Sequence, residues 1–347
     1  MKPKTNACLL AVAIFWAVAC NTNPKVDDAN NPPVAATTAP ARRIAILDTE
    51  ALKLIDSTAA IEVLGEGYKW AEGPLYIKDG DYVLFSDIPN NKVYKWKEGS
   101  GVSLYLTPSG HTYAEKKEVE PGSNGLLLSP KGELVLCQHG DRRMAKMDAP
   151  LSAPKSQFIT LADKYQGKRL NSPNDGVYAA NGDLYFTDPP YGLDKRLADT
   201  AKQLDFQGVY RLKPNGQLDL LTKDLKFPNG IAFSPDGKLL YVSCSDSTNM
   251  FWMRYELDAK GLIKSSSLFY AAKEYNGTSA GNPDGMKVNK AGYVFAAGPE
   301  GIWIFNPSGK PIARIYMGQK TANCAFSPDE KTLYITSSNY FMRVKLK

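Results

Sequence analysis

The stretch NSPNDGVYAANGDLYFTDPPYG, from Asn171 to Gly192, decides the fold. It places Asn174 and Asp175 ahead of a glycine, then an apolar alternating run, an Asn-Gly turn and a second apolar run that ends at Asp188. Alternation with a period of two on both sides of such a turn is typical of a β-hairpin. The stretch therefore predicts two antiparallel strands with a polar residue at their entrance.

The same pattern occurs six times along the chain. The intervals between the leading polar residues are 52, 50, 55, 55 and 39 residues, and further strand-like runs lie between the copies. About four strands per unit at such a period is the signature of a propeller blade. The sequence therefore predicts an all-β fold, a six-bladed β-propeller with four-stranded blades, over residues 45–347. The leading residues, which we call the ring residues, are Glu72, Asn124, Asn174, Asn229, Asp284 and Asn323.

The last unit is short of strands because the chain ends at Lys347. We expect a strand from the start of the domain, within Ile61–Gly67, to complete that blade. Two charged insertions interrupt the repeats at residues 114–120 and 191–204, and we interpret them as loops with some helical turns.

The N-terminus resembles a bacterial lipoprotein signal. A positively charged start precedes an apolar run at residues 7–20, which is too short to span a bilayer comfortably and ends in Ala17-Val18-Ala19-Cys20. Ala17 stands where leucine is more usual, and an ordinary cleaved signal peptide with an incidental Cys20 is the alternative.

We therefore predict a lipoprotein-type signal peptide over residues 1–20, with a lipid anchor at Cys20. Residues 21–44, rich in Asn, Pro, Ala and Thr, are typical of a flexible linker. The expected location is the periplasmic side of a bacterial membrane. The lipid anchor is the only contact with that membrane that we expect.

Charge and cysteine content exclude two other classes of site. The formal net charge of +6 is modest, and the basic residues form no stripe interleaved with aromatics, so nucleic acid is not an expected partner. Cys137, Cys244 and Cys324 lie in apolar, strand-like runs, and we interpret them as buried free thiols. No Cys/His cluster indicates zinc. The oligomeric state is not set by any of these features.

Equivalent positions of a cyclic repeat lie at equivalent places around its axis, and the innermost strand of each blade lines the central channel. The ring residues are therefore predicted to converge at the channel mouth. Carboxylates beside carboxamides form a hard oxygen site that suits one divalent cation: Ca²⁺ first, then Mg²⁺ and, less selectively, Mn²⁺ or Zn²⁺. Two crowded carboxylates would repel each other without such a cation.

A turn-forming role is the alternative for each asparagine, because Asn before Gly is a common turn residue. We interpret Asn124 and Asn323 in this way, as side chains that cap backbone amides. Asn174 and Asn229 occur in matching Pro-Asn contexts, which favours function. Glu72 and Asp284 are the hardest to explain as structural residues. Asp could replace Asn in a turn, but Glu cannot make the same short side-chain bond.

Six motifs in order, from about Ile61 to Lys347, resemble the gluconolactonase, regucalcin and luciferin-regenerating-enzyme-like family, most of all its bacterial gluconolactonase-type members. They are WAEGPLY, SNGLLLSPKGELVLCQHGDRRM, NSPNDGVYAANGDLYFTDPPYG, FPNGIAFSPDGKLLYVS, NPDGMKV and NCAFSPDEKTLYIT. The resemblance implies a metal-dependent propeller that hydrolyses a cyclic ester such as a sugar lactone. It implies the metal ligands Glu72, Asn174, Asn229 and Asp284, with Asp284 also the catalytic base or nucleophile.

The expected substrate contacts are Asn174, Asp175, His139 and Tyr191. Ser172 stands where regucalcin-like members carry a substrate-contacting Arg, so their sugar selectivity does not carry over. Two alternatives remain: a non-catalytic propeller that is pinned by metal and binds a saccharide or protein partner, and a hydrolase of other esters or organophosphates.

Overall fold

The computed structural model describes Met1 and residues 42–347, apart from residues 115, 116 and 118. The predicted signal peptide with Cys20 and the predicted linker up to residue 41 lie outside the described residues. The described residues from Arg42 onwards belong to one compact unit. Within the described part of the chain, no helix is both long and apolar enough to cross a bilayer.

Alternating apolar runs separated by tight turns fold as predicted into six antiparallel sheets that follow one another in the chain. The first residues form β1 (Arg43–Ile46), a 3-10 helix (Thr49–Lys53) and β2 (Ile61–Glu66). Blade one consists of β3 (Ala71–Ile77), β4 (Tyr82–Asp87), β5 (Lys92–Lys97) and β6 (Gly101–Leu106). Blade two consists of β7 (Ser123–Leu128), β8 (Leu134–Gln138), β9 (Arg143–Met147) and β10 (Phe158–Ala162).

A short hairpin of β11 (Lys164–Tyr165) and β12 (Lys168–Arg169) leads into the second half of the propeller. Blade three consists of β13 (Gly176–Tyr178), β14 (Leu184–Asp188), β15 (Gly208–Leu212) and β16 (Leu218–Thr222). Blade four consists of β17 (Pro228–Phe233), β18 (Leu239–Cys244), β19 (Phe251–Leu257) and β20 (Ile263–Ala271).

Blade five consists of β21 (Met286–Val288), β22 (Val294–Gly298), β23 (Gly301–Phe305) and β24 (Pro311–Tyr316). Blade six takes β25 (Thr321–Phe326), β26 (Thr332–Ser337) and β27 (Tyr340–Lys345) from the C-terminus. Four further 3-10 turns lie at Lys78–Gly80, Ile88–Asn90, Arg196–Ala198 and Lys273–Tyr275.

The two ends of the domain meet in blade six. Strand β2 pairs antiparallel with β27, in a register that places Ile61 opposite Val344 and Glu66 opposite Tyr340. This confirms the predicted closing strand. Strand β1 adds a fifth strand to blade five by pairing with β24, an addition that the repeat pattern does not predict.

The core lies between the blades. Six buried apolar clusters each join two neighbouring sheets, because every sheet presents apolar side chains on both faces. At the junction of blades six and one, the rings of Phe85 and Phe341 stack with centroids 4.4 Å apart. Cys137, Cys244 and Cys324 are buried and free, as predicted.

Candidate metal and substrate site

The mouth of the central channel opens into a cavity of about 490 Å³. Its wall brings together residues from all six blades and from the loops between them, which are distant along the chain. Five ring residues and the predicted substrate contact Tyr191 lie in that wall: Glu72, Asn124, Asn174, Asn229 and Asp284. Five of the six ring residues therefore share one cavity wall, and Asn323 does not line it.

Bulges at the start of the inner strands place several ring residues. Pairing registers shift at these positions, so the residues within each shift leave the regular ladder and the strand bends there. Asn174 and Asp284 instead stand two residues ahead of short inner strands, and their backbone amides reach Thr187 and Ala297 carbonyls at 2.9 Å. The shifts fall between Glu72 and Leu75, Ser123 and Leu126, and Pro228 and Ile231.

The glycine that follows a ring residue allows neighbouring blades to approach closely. A Cβ at Gly73, which has a φ of +53°, would lie 2.3 Å from the Asn124 carbonyl oxygen. A Cβ at Gly230 would lie 2.3 Å from the Asp284 carbonyl oxygen. No side chain fits at either separation, which explains the Glu-Gly and Asn-Gly pairs of the repeat.

Hydroxyl groups on the second strand of three blades hold the backbone of the next ring residue. Each donates to the carbonyl oxygen of a ring residue one blade further on, and these bonds are buried or nearly so. They run from Ser86 to Asn124 at 2.8 Å, from Thr187 to Asn229 at 2.7 Å and from Ser243 to Asp284 at 2.9 Å. These bonds link the second strand of one blade to the ring residue of the next, and their donors occupy equivalent positions in the repeat.

Aspartates at the ends of two second strands fix the loops that precede ring residues. Asp188 accepts hydrogen bonds from the backbone amides of Asn171 at 2.8 Å and Ser172 at 2.7 Å. Asp87 accepts one in the same way from Lys69 at 3.1 Å. Burial raises the pKa of the Asp188 carboxyl to about 7, and the two amide bonds partly oppose that rise.

Three carboxyl groups crowd the centre of the site. Burial raises the pKa of Glu72 to about 8, and the neighbouring Asp175 contributes to the increase. Burial also raises the pKa of Asp284 well above its usual value, with further contributions from the charges of Glu72 and Asp175. The protein alone therefore disfavours full ionisation of this cluster, whereas a bound cation would favour it.

Several buried oxygens of the wall have no hydrogen-bond donor among the described residues. They are Oδ1 of Asn124, Oδ1 of Asn174 and Oδ1 of Asp284. Unpartnered buried oxygens are costly unless a ligand satisfies them, and carbonyl and carboxylate oxygens are the ligands of hard divalent cations. No described group of three or more His, Cys, Asp and Glu side chains could hold a metal, so such a site depends on the asparagine oxygens.

The amide of Asn229 is oriented by Ser245. Asn229 Nδ2 donates to Ser245 Oγ at 3.0 Å, and the Ser245 hydroxyl donates in turn to the carbonyl oxygen of Pro283, the residue before Asp284. This bond holds the nitrogen end of the Asn229 amide against the protein. Its oxygen Oδ1 accepts no hydrogen bond from the described residues and is free to bind a cation.

Residues 70–339 match the SMP-30/Gluconolactonase/LRE-like region family. The chain belongs to this family. It is 40% identical over 300 residues to the gluconolactonase of Zymomonas mobilis, covering 85% of this chain and 83% of that one. It is 26% identical over 277 residues to the diisopropyl-fluorophosphatase of Loligo vulgaris, with 77% and 85% coverage. The solved structure of a gluconolactonase from Xanthomonas campestris superimposes with a TM-score of 0.75 at 27% identity, covering 89% of this chain and 96% of that one.

Asn124 and Asn323, the two ring residues interpreted as caps of backbone amides, differ from each other in the structure of this gluconolactonase-family chain. Asn323 Oδ1 accepts from the backbone amide of Cys324 at 2.9 Å, so its interpretation as a cap is confirmed. The same interpretation is wrong for Asn124: its Oδ1 caps nothing and lies in the cavity wall.

Two predicted substrate contacts lie behind the wall of the family cavity. Asp175 is buried and accepts hydrogen bonds from the Gly176 amide at 2.8 Å and from Asn323 Nδ2 at 3.4 Å. His139 is fully buried and contacts Glu120, which does line the cavity. Neither residue lies in the cavity wall, and their contact with substrate stays a prediction.

Sequence reasoning missed most of the polar wall. Glu120 and Arg196 come from the two charged insertions, and a single sequence does not show which insertions fold over the channel. Ser245 could have been found from the repeat, since it directly follows β18 at the channel end. The remaining wall residues include Ser247, Thr278, Ser279, Asn282, Lys320 and Thr321.

Proposed function

We propose that this chain is a hydrolase of sugar lactones that depends on a divalent cation held at the channel mouth. One observation carries the proposal: unpartnered oxygens of Asn174 and Asp284 lie with the Glu72 carboxyl in the wall of one small cavity. The 40% identity to a gluconolactonase over most of both chains supports lactones as the substrate class.

Glu72, Asn174, Asn229 and Asp284 would hold the cation, and Asn124 offers a further oxygen. We infer Ca²⁺, because the ligands are all oxygens and include neutral amides that add ligands without charge. When bound, such a cation polarises a carbonyl group and acidifies water. Its charge also removes the mutual repulsion of Glu72 and Asp284.

Asp284 is the residue that would direct the attacking water. The water oxygen attacks the lactone carbonyl carbon while its proton passes to an Asp284 oxygen. Cleavage of the ring C–O bond then releases an alcohol oxygen, which takes up a proton and leaves a hydroxy acid. Asn174, whose backbone amide is bonded to Thr187, and Asn229, whose side chain is bonded to Ser245, would orient the lactone relative to this water.

The cavity suits a small polar ring. At about 490 Å³ it has the size of a small-molecule site, and its wall beyond the ring residues is rich in hydroxyl and amide groups. Trp70 and Tyr191 provide the flat apolar surfaces. The ring of Tyr191 stacks on Phe227 with centroids 5.7 Å apart, which fixes its orientation.

The deciding experiment measures initial rates of δ-gluconolactone opening, corrected for the spontaneous reaction, with and without a chelator. Turnover that is lost with chelator, restored by Ca²⁺ and absent in Glu72→Gln would support the proposal. A folded, metal-loaded protein that leaves a panel of lactones untouched would refute it. Turnover of diisopropyl fluorophosphate in place of lactones would favour the activity that the Loligo relative is named for.

We also propose that the protein is exported and anchored by lipid at Cys20. The support is the sequence pattern at residues 2–20 alone. A tether of about twenty residues would then separate the anchor from the propeller.

A further inference from the structure

A carboxylate outside the ring residues also faces the cavity. Glu120 lies in the cavity wall at the end of the first charged insertion, directly before blade two. Its side chain is 23% exposed, so it meets solvent through the cavity mouth. Its φ of +41° is in the left-handed region, which is uncommon for a residue other than glycine, asparagine or aspartate. Such a conformation persists only where the surrounding structure holds it.

A buried histidine holds this carboxylate. Glu120 Oε2 lies 2.9 Å from His139 Nδ1, and the His139 ring is fully buried at the end of β8. The packing around His139 is tight, since a Cβ at Gly192 would lie 2.8 Å from His139 Cβ. The histidine therefore has little freedom to move away from Glu120.

The other ring nitrogen of His139, Nε2, is buried and has no partner among the residues that the structure describes. The contact with Glu120 is therefore the one polar contact that the described residues offer to the ring nitrogens of His139. A ring with its hydrogen on Nδ1 donates to Glu120 Oε2. Oε1 of Glu120 accepts no hydrogen bond from the described residues.

We propose that Glu120 is a substrate-binding residue whose carboxylate accepts hydrogen bonds from hydroxyl groups of the lactone, and that His139 is the positioning residue that holds it. This inference rests on the proposed function and adds to it the basis of substrate selection. A carboxylate accepts hydroxyl hydrogen bonds more strongly than a neutral group does. A lactone without hydroxyl groups would displace water from Glu120 Oε1 without supplying a donor in its place, so hydroxylated lactones are selected over alkyl lactones.

The test compares Glu120→Gln with the unaltered protein on two six-membered lactones, δ-gluconolactone and δ-valerolactone, which lacks hydroxyl groups. We expect the ratio of kcat/KM for the two substrates to fall by about tenfold or more, mainly through KM for gluconolactone. Glu120→Asp, which keeps the charge, should restore part of the ratio. Glu66→Gln, an exposed carboxylate outside the cavity, is the matched control and should leave the ratio unchanged.

A second variant tests the positioning role. His139→Gln should lower the same ratio, because Glu120 loses its anchor, while near-ultraviolet circular dichroism confirms that the chain is folded. An equal loss on both lactones in folded Glu120→Gln would overturn the inference, since the residue would then act on the reaction and not on hydroxyl recognition. An unchanged ratio would overturn it too. Absence of any lactone turnover in the unaltered protein would instead be a failure of the proposed function.

Discussion

Asn229 Nδ2 donates to Ser245 Oγ at 3.0 Å, and through this bond one hydroxyl group orients an expected metal ligand. The same hydroxyl reaches the Pro283 carbonyl oxygen, next to Asp284 in the chain. Residues that hold metal ligands in this way contribute to affinity without touching the ion. Ser245 therefore connects the ligand segments of blades four and five.

Ser245→Ala should weaken cation binding by about 10- to 100-fold, because the Asn229 amide loses the acceptor that fixes its rotation. Titration of the metal-free protein with Ca²⁺ in competition with a chromophoric chelator measures this. Ser265→Ala, an exposed serine on β20, is the control. Equal affinities in the two variants would contradict the expectation.

Asp284→Asn should reduce kcat/KM for the lactone by about a thousandfold or more while leaving the fold intact, since the carboxylate acts on water as well as on the cation. The metal-free variant should also melt at a higher temperature than the unaltered protein, because one of the repelling buried carboxyl groups is gone. Enzyme assay and calorimetry on the same samples check both parts. Near-normal turnover would remove Asp284 from the mechanism.

Stability of the metal-free protein should fall as pH rises. The pKa of Glu72 is about 8 in the folded protein against a usual 4.5, so the folded state binds more protons between these values. The contribution of this group to the free energy of unfolding is complete below pH 4.5 and is lost as pH rises through about 8. The raised pKa of Asp284 acts in the same direction.

Cation affinity should follow the opposite course, because protons and the cation compete for the same carboxylates. Affinity is expected to increase as pH rises through the Glu72 pKa of about 8, and the raised pKa of Asp284 acts in the same direction. Melting curves and Ca²⁺ titrations across this pH range test the two trends. Glu72→Gln should flatten both, and a melting temperature that climbs with pH in the metal-free protein would contradict the assignment.

Closure of the propeller should depend on β2. A chain shortened to begin at Gly67 lacks the strand that pairs with β27, which exposes an edge of blade six and breaks the link between the two ends of the domain. We expect it to be insoluble or to melt far below a chain that begins at Arg42 and keeps the strand. Two truncated chains with equal melting temperatures would show that the closing strand is dispensable.

The lipid anchor should depend on one cysteine. Metabolic labelling with a radioactive fatty acid is expected to mark the full chain, and Cys20→Ala should abolish the label and release the protein from the membrane fraction. Cys137→Ala, which alters a buried cysteine of the propeller, is the control. Absence of label in the full chain would favour the ordinary cleaved signal peptide, and labelling that survives in Cys20→Ala would place the lipid on another residue.

The repeat predicts which ring residues lie close together in the site, but it does not predict where each side chain points. Glu72 and Asp284 could be predicted to meet because cyclic repetition turns sequence equivalence into spatial proximity. The direction in which each side chain points could not be predicted, because positions 124 and 323 are both asparagine and are equivalent in the repeat. Both lie beside a register shift, yet Asn124 Oδ1 lies in the cavity wall without a donor among the described residues, whereas Asn323 Oδ1 accepts from the Cys324 amide.

The sequence by itself determined the number of blades, the closing strand and the set of oxygen-bearing residues at the channel mouth, because each follows from local alternation and a fixed period. Only the tertiary structure decided that Glu120 from an insertion joins the cavity wall, and that His139 supports this residue from behind. Insertions obey no repeat, so their positions depend on packing between side chains that are remote along the chain. The ring residues thus follow the sequence repeat, whereas the residues that would select a substrate lie in insertions and do not.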